Sequence, residues 1–424
     1  MKRETLCLHG GHQPDPTTNA CATPIYRTAS YVFDSAEHAS NLFALKELGN
    51  IYTRLMNPTT DVLEKRVALL EGAHELGGLA LASGTSAIFY TIINLAQAGD
   101  NIISSANLYG GTYTQFNNIL PALGITVKFV NANNPEEVKA AIDENTRAVF
   151  TETISNPASE VTDLENLADI AHAHGLPLIV DSTFSTPHLC RPIEHGADIV
   201  VHSLTKWLGG HGAAIGGIVI DSGKFDWSAG KHPLFDTPDT SYHGLRWGHD
   251  LPEPLAPLAF ILRMRTVPLR NLGACISPDN SWQILQGIET LHLRMDRHCE
   301  NALSVAKFLK AHPSVEWVKF PGLEDDPEHQ RCVKYQSGKG GSVVTFEIKG
   351  GQEAGKAFIE NLKMLLHLAN VGDAKSLAIH PASTTHSQMN EQQQAAGGIT
   401  PGLIRLSIGI EHIDDIIADI TQAL

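Results

Sequence analysis

Three stretches of the 424-residue chain place reactive side chains where an apolar run gives way to a turn or a helix. In Val201-His202-Ser203-Leu204-Thr205-Lys206-Trp207-Leu208-Gly209-Gly210-His211-Gly212, a lysine follows two hydroxyl residues and precedes a glycine-rich bend. On an exposed surface a lysine, with a pKa of about 10.4, is unreactive at neutral pH; in a partly desolvated cleft that pKa falls and the amine attacks carbonyls. Asp181 closes the apolar run Leu176-Pro177-Leu178-Ile179-Val180. A carboxylate there needs a partner, because burying it alone is costly. An N-cap role, a structural ion pair or a counter-charge for a bound cation would each supply one. Ser83-Gly84-Thr85-Ser86 stands between a buried strand and a helix. Its glycine admits a ligand close to the backbone, and its amides and hydroxyls suit a phosphate, although a plain helix cap explains the same residues. No GxxxxGK[ST] or GxGxxG occurs, so neither a Walker loop nor a dinucleotide fingerprint is present.

Taken together, the three supply an amine, a counter-charge and a phosphate cup. That set is what pyridoxal 5′-phosphate (PLP) chemistry requires: a Schiff-base lysine, a carboxylate beside the ring nitrogen, and donors for the phosphate. Ser203 and Thr205 would face the same phosphate as Gly84 and Thr85.

Other chemistries find less support. The 21 histidines include His9 with His12 and His172 with His174, none in a complete metal-ligand spacing, so solvent-facing or structural roles are expected and no metal site. Six cysteines are scattered without a CxxC pair, which argues against structural zinc and disulfides and fits a reducing cytoplasm. A net charge of −15 repels phosphate backbones, making nucleic acid an unexpected partner, while a few local donors still bind a small anion. No run of about 18 apolar residues occurs, and Met1-Lys2-Arg3-Glu4-Thr5 has no apolar stretch behind it, so neither a membrane span nor a secretory signal is expected.

The elements that must position these residues follow from periodicity. Residues 1–60, rich in Pro, Thr, Asn and Gly, read as an extended arm. A helix is predicted over 59–70. Short apolar runs then alternate with helices: strands at 78–82, 101–105, 126–130, 147–151, 176–180 and 198–202, with helices following the first four at 83–95, 113–120, 135–142 and 164–174. Such apolar strands separated by helices imply a mostly parallel sheet covered on both faces, with ligands beyond the strands' carboxyl ends. A Pro-rich excursion at 231–278 interrupts this domain, taken as 61–280. The remainder, 281–424, reads as a smaller α+β domain: one long helix over 281–309, strands at 342–348 and 403–408, and helices at 353–362 and 413–424.

Over essentially its whole length the chain resembles the cystathionine γ-synthase family of PLP enzymes. The likeness is carried by Leu8-His9-Gly10-Gly11, Tyr52-Thr53-Arg54 with Asn57-Pro58-Thr59, Tyr109-Gly110-Gly111-Thr112, Ser155-Asn156-Pro157, the Lys206 segment and Leu403-Ile404-Arg405-Leu406-Ser407-Ile408-Gly409-Ile410-Glu411. The resemblance implies the aspartate-aminotransferase-like α/β fold (fold type I), with a mostly parallel seven-stranded sheet. It implies that Lys206 is the Schiff-base lysine and proton carrier. Asp181 would pair with the ring nitrogen with Thr183 nearby, Tyr109 would stack on the ring, and Gly84, Thr85, Ser203 and Thr205 would hold the phosphate. Tyr52 and Arg54 would reach the cofactor of a neighbouring subunit, within a tetramer built as a dimer of dimers. Arg405 would grip the substrate carboxylate, helped by Asn156 and the Ser376 region.

The implied reaction is γ-replacement on an acylated homoserine: O-acetylhomoserine and sulfide to homocysteine and acetate. Addition of cysteine, use of the succinyl ester, and γ-elimination to a keto acid are alternatives, as is a catalytically silent carrier or regulator. Gly209-Gly210-His211-Gly212, where relatives acting on cystathionine carry Gly-His-Ser-Asp, favours the sulfide branch. So does the segment around Phe235-Asp236-Thr237-Pro238 and Ser241-Tyr242-His243-Gly244. Two departures, Thr85 for the usual Gln or Met and Ser182 for the usual Asn, alter the cofactor's edge without removing an essential group.

Overall fold

A computed structural model describes residues 1–384 and 399–424. The predicted runs form a seven-stranded sheet in the order β1-β7-β6-β5-β4-β2-β3. The strands are β1 (Gly78–Leu81), β2 (Asn101–Ser105), β3 (Thr126–Val130), β4 (Thr146–Glu152), β5 (Leu178–Asp181), β6 (Ile199–Ser203) and β7 (Gly217–Asp221). From β3 to β6 every pairing is parallel; β7 runs antiparallel between β6 and β1. The strands are apolar throughout because both faces are covered. Ile103, Val149, Leu178, Val180 and Val200 enter the core on one side, and Ile102, Phe150, Ile179, Ile199 and Val201 the core on the other.

The helix Pro58–Glu71 begins where Asn57 caps the Thr59 N–H at 3.0 Å and ends at Gly72, whose φ of +82° is left-handed. Ser83 caps the helix Gly84–Ile93 at the Ser86 N–H, so the turn after β1 is rigid.

Several expectations are corrected. β7 is an addition to the strands expected from periodicity: its five residues lie between glycine-rich and turn-forming stretches that mask any period. Within the Pro-rich excursion a continuous helical stretch runs from Ala259 to Leu272, buried against the sheet through Phe260, Ile261 and Met264. Nor is the arm wholly extended. Arg3–His9 is helical and buries Leu6 and Cys7, and Ala36–Phe43 is a second helix. The long helix predicted over 281–309 is two, Pro278–Glu289 and Leu291–Ala311, parted at Thr290. There the threonine hydroxyl lies 3.4 Å from the Gly287 carbonyl and competes with the backbone for it.

A second sheet, in the order β10-β11-β12-β9-β8, contains β8 (Val315–Lys319), β9 (Val343–Ile348), β10 (Leu366–His367), β11 (Leu377–Ile379) and β12 (Leu403–Ser407). The helix Leu291–Ala311 serves both sheets. Its Leu291, Met295 and Cys299 join the core beneath the large sheet, and its Ala302, Val305 and Leu309 the core of the small one. That shared helix sets β12 against the carboxyl ends of β4 to β6.

Candidate functional site

The carboxyl ends of β1 and β4 to β6, with β12 of the small sheet and the loop at residues 369–371, enclose a pocket of about 200 Å³. Gly84, Thr85, Tyr109, Asn156, Asp181, Thr183, Ser203, Thr205, Lys206 and Arg405 all line it. Residues spread over more than 300 positions thus meet in one place, as expected of ligand sites at strand ends.

Lys206 sits on a tight turn beyond β6, where its N–H donates to the Ser203 carbonyl and its carbonyl accepts from Gly210. The bend that follows is clamped by the helix pair parted at Thr290. Arg294 donates to the Trp207 carbonyl at 2.9 Å and to the Gly287 carbonyl at 2.6 Å. At Gly210, φ is +70°, and a Cβ would lie 2.1 Å from the Arg294 guanidinium, so only glycine fits. The Lys206 amine donates to Asn370 Oδ1. Burial, and next the nearby Arg405 charge, lower its pKa to about 8, so a neutral amine is accessible near physiological pH.

Across the pocket, Asp181 accepts from the Thr183 N–H at 2.9 Å. The Thr183 hydroxyl in turn accepts from the Ser203 N–H at 2.8 Å, tying β5 to β6. Burial raises the Asp181 pKa, and its hydrogen-bond partner Thr183 carries no charge. A buried carboxyl so placed is completed by a bound cation. At the other end Gly84 packs on Ser203 so closely that a Cβ would come within 2.7 Å of the Ser203 Cβ. The missing side chain leaves a cup lined by Ser83, Gly84, Thr85, Ser203 and Thr205 at the helix start. Tyr109 is half exposed, its ring folded over Gly111, where a Cβ would lie 2.5 Å from the Tyr109 Cε1. These residues fit PLP: an amine for the aldehyde, a carboxyl for the ring nitrogen, an aromatic ring on the pocket wall at Tyr109, and donors for phosphate.

Arg405 leaves β12 on the face opposite Ile404 and Leu406, as the strand's two-residue period requires. It is buried, donates to Asn156 Oδ1 at 3.2 Å and points an Nη at the Asn370 carbonyl. Burial holds its pKa down at about 10, so it remains a cation.

One expected residue is not brought in, and two expected at a neighbouring subunit's cofactor lie outside this chain's pocket. Ser376 is fully buried outside the pocket, its N–H and hydroxyl both donating to the Glu411 carboxylate at 2.6 and 2.8 Å. The hydroxyl also accepts from the Gly409 N–H, so Ser376 fixes a turn rather than meeting a ligand. Tyr52 and Arg54 are exposed on the arm, the guanidinium 5.1 Å from the tyrosine ring centroid, and neither lines this chain's own pocket.

Conversely, the pocket contains Asn370, Glu152 and an apolar wall of Ile88, Ile154, Phe184 and Ile215, none singled out from sequence. Glu152 ends a buried strand just as Asp181 does, so the same signal was there to find it. Asn370 lies in a loop and offered none. A larger cleft of about 420 Å³ lies under the arm between Leu42, Leu48, Leu255 and Leu262, and none of the expected residues line it. Among the described residues no group of three His, Cys, Asp or Glu could hold a metal ion, and no helix is long and apolar enough to cross a membrane.

An α/β sheet whose strand ends hold a lysine, a carboxyl and a phosphate cup defines a pyridoxal-phosphate-dependent enzyme. More closely, the chain belongs to the family of Cys/Met metabolism PLP-dependent enzymes, whose sequence model matches residues 4–424. It is 53% identical to the O-acetyl-L-homoserine sulfhydrylase of Leptospira meyeri, covering 100% of this chain and 97% of that protein. It is also 53% identical to O-acetyl-L-homoserine sulfhydrylase 1 of Thermus thermophilus, covering 100% of each. A crystal structure of a Campylobacter jejuni protein described as an O-acetylhomoserine (thiol)-lyase superposes with a TM-score of 0.95 at 41% identity, over 100% of this chain and 99% of that one. That structure holds N′-pyridoxyl-lysine-5′-monophosphate.

Proposed function

We propose that the protein converts O-acetyl-L-homoserine and sulfide to L-homocysteine and acetate, using PLP held on Lys206. One observation carries the reading: the Lys206 amine and the Arg405 guanidinium share a buried pocket that ends in the Gly84–Ser203 cup. An α-amino acid bound by its carboxylate at Arg405 presents its Cα to Lys206. The choice among reactions of this class is supported by the full-length relatives, which carry the names sulfhydrylase and homocysteine synthase.

When bound, PLP supplies an electron sink for the charge left as a proton departs Cα. The chain's own residues do the rest. Asp181 holds the ring nitrogen protonated, and Tyr109 covers one ring face. Gly84, Thr85, Ser203 and Thr205 hold the phosphate, with Thr183 fixing Asp181. Arg405 and Asn156 orient the carboxylate. Lys206 Nζ, once free, would take the proton from Cα and hand it on to the cofactor before taking a second from Cβ; acetate leaves Cγ, sulfide adds there, and the lysine returns the protons to Cβ and Cα, which gives homocysteine. A base of pKa about 8 suits both duties. Ile88, Ile154 and Phe184 keep water from competing with sulfide.

Assembly belongs to the same reading. Tyr52 and Arg54 stand exposed with no role in their own pocket, and we assign them to the phosphate of a neighbouring subunit within a cytoplasmic homotetramer built from dimers. The test is homocysteine release by the PLP-loaded protein from O-acetylhomoserine and sulfide, with cysteine replacing sulfide in parallel. Homocysteine with little cystathionine is expected. Cystathionine alone, or keto acid in both reactions, would overturn the assignment.

A further inference from the structure

Asn370 stands in the loop between β10 and β11 and lines the Lys206 pocket. Its Oδ1 accepts from the Lys206 amine, and among the described residues that is the one hydrogen bond its side chain makes. The loop itself is held by other groups. The Gly372 N–H donates to Ser407 Oγ on β12 at 3.0 Å, and the Ala374 N–H donates to the Gly210 carbonyl at 2.8 Å. Gly372 also packs on the bend after Lys206, where a Cβ would lie 2.7 Å from the Trp207 nitrogen. The loop carrying the acceptor is thus fastened both to the strand of Arg405 and to the bend of Lys206. Arg405 meets Asn370 at its main-chain carbonyl, 3.5 Å from Nη2, so that contact does not involve the Asn370 side chain.

Resting on the function proposed above, we infer that Asn370 is a positioning residue for the proton transfers: its side-chain oxygen holds the Lys206 amine, once free of the cofactor, at one place in the pocket from which it takes the Cα proton. The case rests on what the amine needs. A lysine amine on its flexible four-carbon stem samples many positions, and proton transfer needs the one within reach of the substrate carbon. An amine that donates one N–H to Oδ1 keeps its lone pair free to take a proton. Once protonated it still donates to the same oxygen, so the contact also serves the return of the proton. The acceptor is an amide, which accepts without carrying charge. A carboxylate in its place would hold the amine as an ammonium ion and remove the base.

A simpler role is that of a loop asparagine, a residue type common in turns, whose loss affects stability alone. Two measurements separate the roles. The first uses the full chain freed of cofactor and follows the pH midpoint of PLP uptake, expected near pH 8 in the unmodified protein. In Asn370→Asp it should rise by roughly one pH unit or more, because a carboxylate beside the amine favours its protonated form. Asp181, Glu152, Tyr109 and Arg405, the other ionisable side chains lining the pocket, stay in place. An unmoved midpoint would show that residue 370 does not face the amine and would overturn the inference. The second uses the holoenzyme with L-norvaline, which carries no leaving group. Its dissociation constant is read from cofactor absorbance, and exchange of its Cα proton in deuterium oxide by NMR. In Asn370→Ala exchange should slow by roughly ten- to a hundredfold, as misplacing a proton carrier does, while the norvaline constant changes little because Arg405 keeps its contacts. Unchanged exchange would overturn the inference, as would exchange and binding lost together with a lowered melting temperature. If Asn370→Ala does not retain cofactor, Asn370→Leu, which keeps the shape and lacks the acceptor, is read by the same criteria. Should the unmodified protein exchange the norvaline proton yet release no homocysteine, the proposed reaction fails and the exchange rates still decide the role of Asn370. Should it exchange none, both fail.

Discussion

Lys206 and Arg405 are two cations in one buried pocket, and the charge of Arg405 adds to burial in lowering the Lys206 pKa to about 8. The relationship crosses the fold: one residue follows β6 of the large sheet, and the other lies on β12 of the small one. The arginine placed to hold a substrate carboxylate thus also helps keep the lysine amine neutral. Arrival of the carboxylate offsets that charge, so substrate binding raises the proton affinity of the amine that must next take a proton.

The first prediction is a pH dependence. Uptake of PLP by the cofactor-free protein needs the neutral amine, so its rate should climb through about pH 8 and level off above it. In Arg405→Gln the midpoint should move up by roughly one pH unit as a like charge is lost. Stability follows the same sign. The folded lysine pKa lies below the unfolded one, so between pH 8 and 10.5 the unfolded chain binds the extra proton and stability rises with pH. Stopped-flow absorbance across pH 6 to 10 checks the kinetics (a range chosen to run about two units either side of the expected midpoint). A flat profile would contradict the amine's role.

Lys206→Ala should lose covalent attachment. After borohydride reduction and digestion, the unmodified protein should give a Lys206 peptide carrying the pyridoxyl phosphate mass, and the variant should give none. Homocysteine formation should fall by at least about 10²-fold, the contribution of a positioned proton carrier. Loss of the adduct with activity retained would move the chemistry to another residue.

Much of this site was legible in the sequence because its parts stand at strand ends, where a buried apolar run stops abruptly. Asp181, Ser203 and Lys206 are marked that way, and Gly84 by its place between strand and helix. What was not legible depends on contacts between distant segments. The family resemblance implied a substrate contact for Ser376, but Glu411 takes both its donors. Asn370 and Arg294 act through hydrogen bonds to distant segments, which leave no period in the chain. The split of the long helix at Thr290 was hidden for a related reason, since the apolar spacing Ile284, Ile288, Leu291, Met295 continues across the break.

Gly84→Ala should weaken cofactor binding. The added methyl would lie 2.7 Å from the Ser203 Cβ and 2.9 Å from its Cα. Neither atom is the end of a flexible side chain, so the β6 end or the helix start must move and the cup distorts. Stability should drop by about 1–3 kcal/mol, the usual range for overpacking. Cofactor retained after dialysis, read from visible absorbance, should fall alongside. Full retention at unchanged melting temperature would show that the helix start yields freely.

Shared active sites make a sharper demand, because two inactive variants must repair each other. Arg54→Ala removes the cation assigned to the neighbour's phosphate and leaves Lys206 in place. Lys206→Ala does the reverse. If the arm of one subunit completes the pocket of another, a mixed oligomer contains one pocket with both defects and one with neither. Each variant alone should be nearly inactive, and unfolding and refolding them together should restore a substantial part of the activity. Size-exclusion chromatography at the same concentrations should find no free monomer. Were Arg54 to serve its own pocket, every pocket in the mixture would carry one defect and nothing would be regained. The exposed placement of Arg54 beside Tyr52, outside the pocket of its own chain, is the observation that favours recovery.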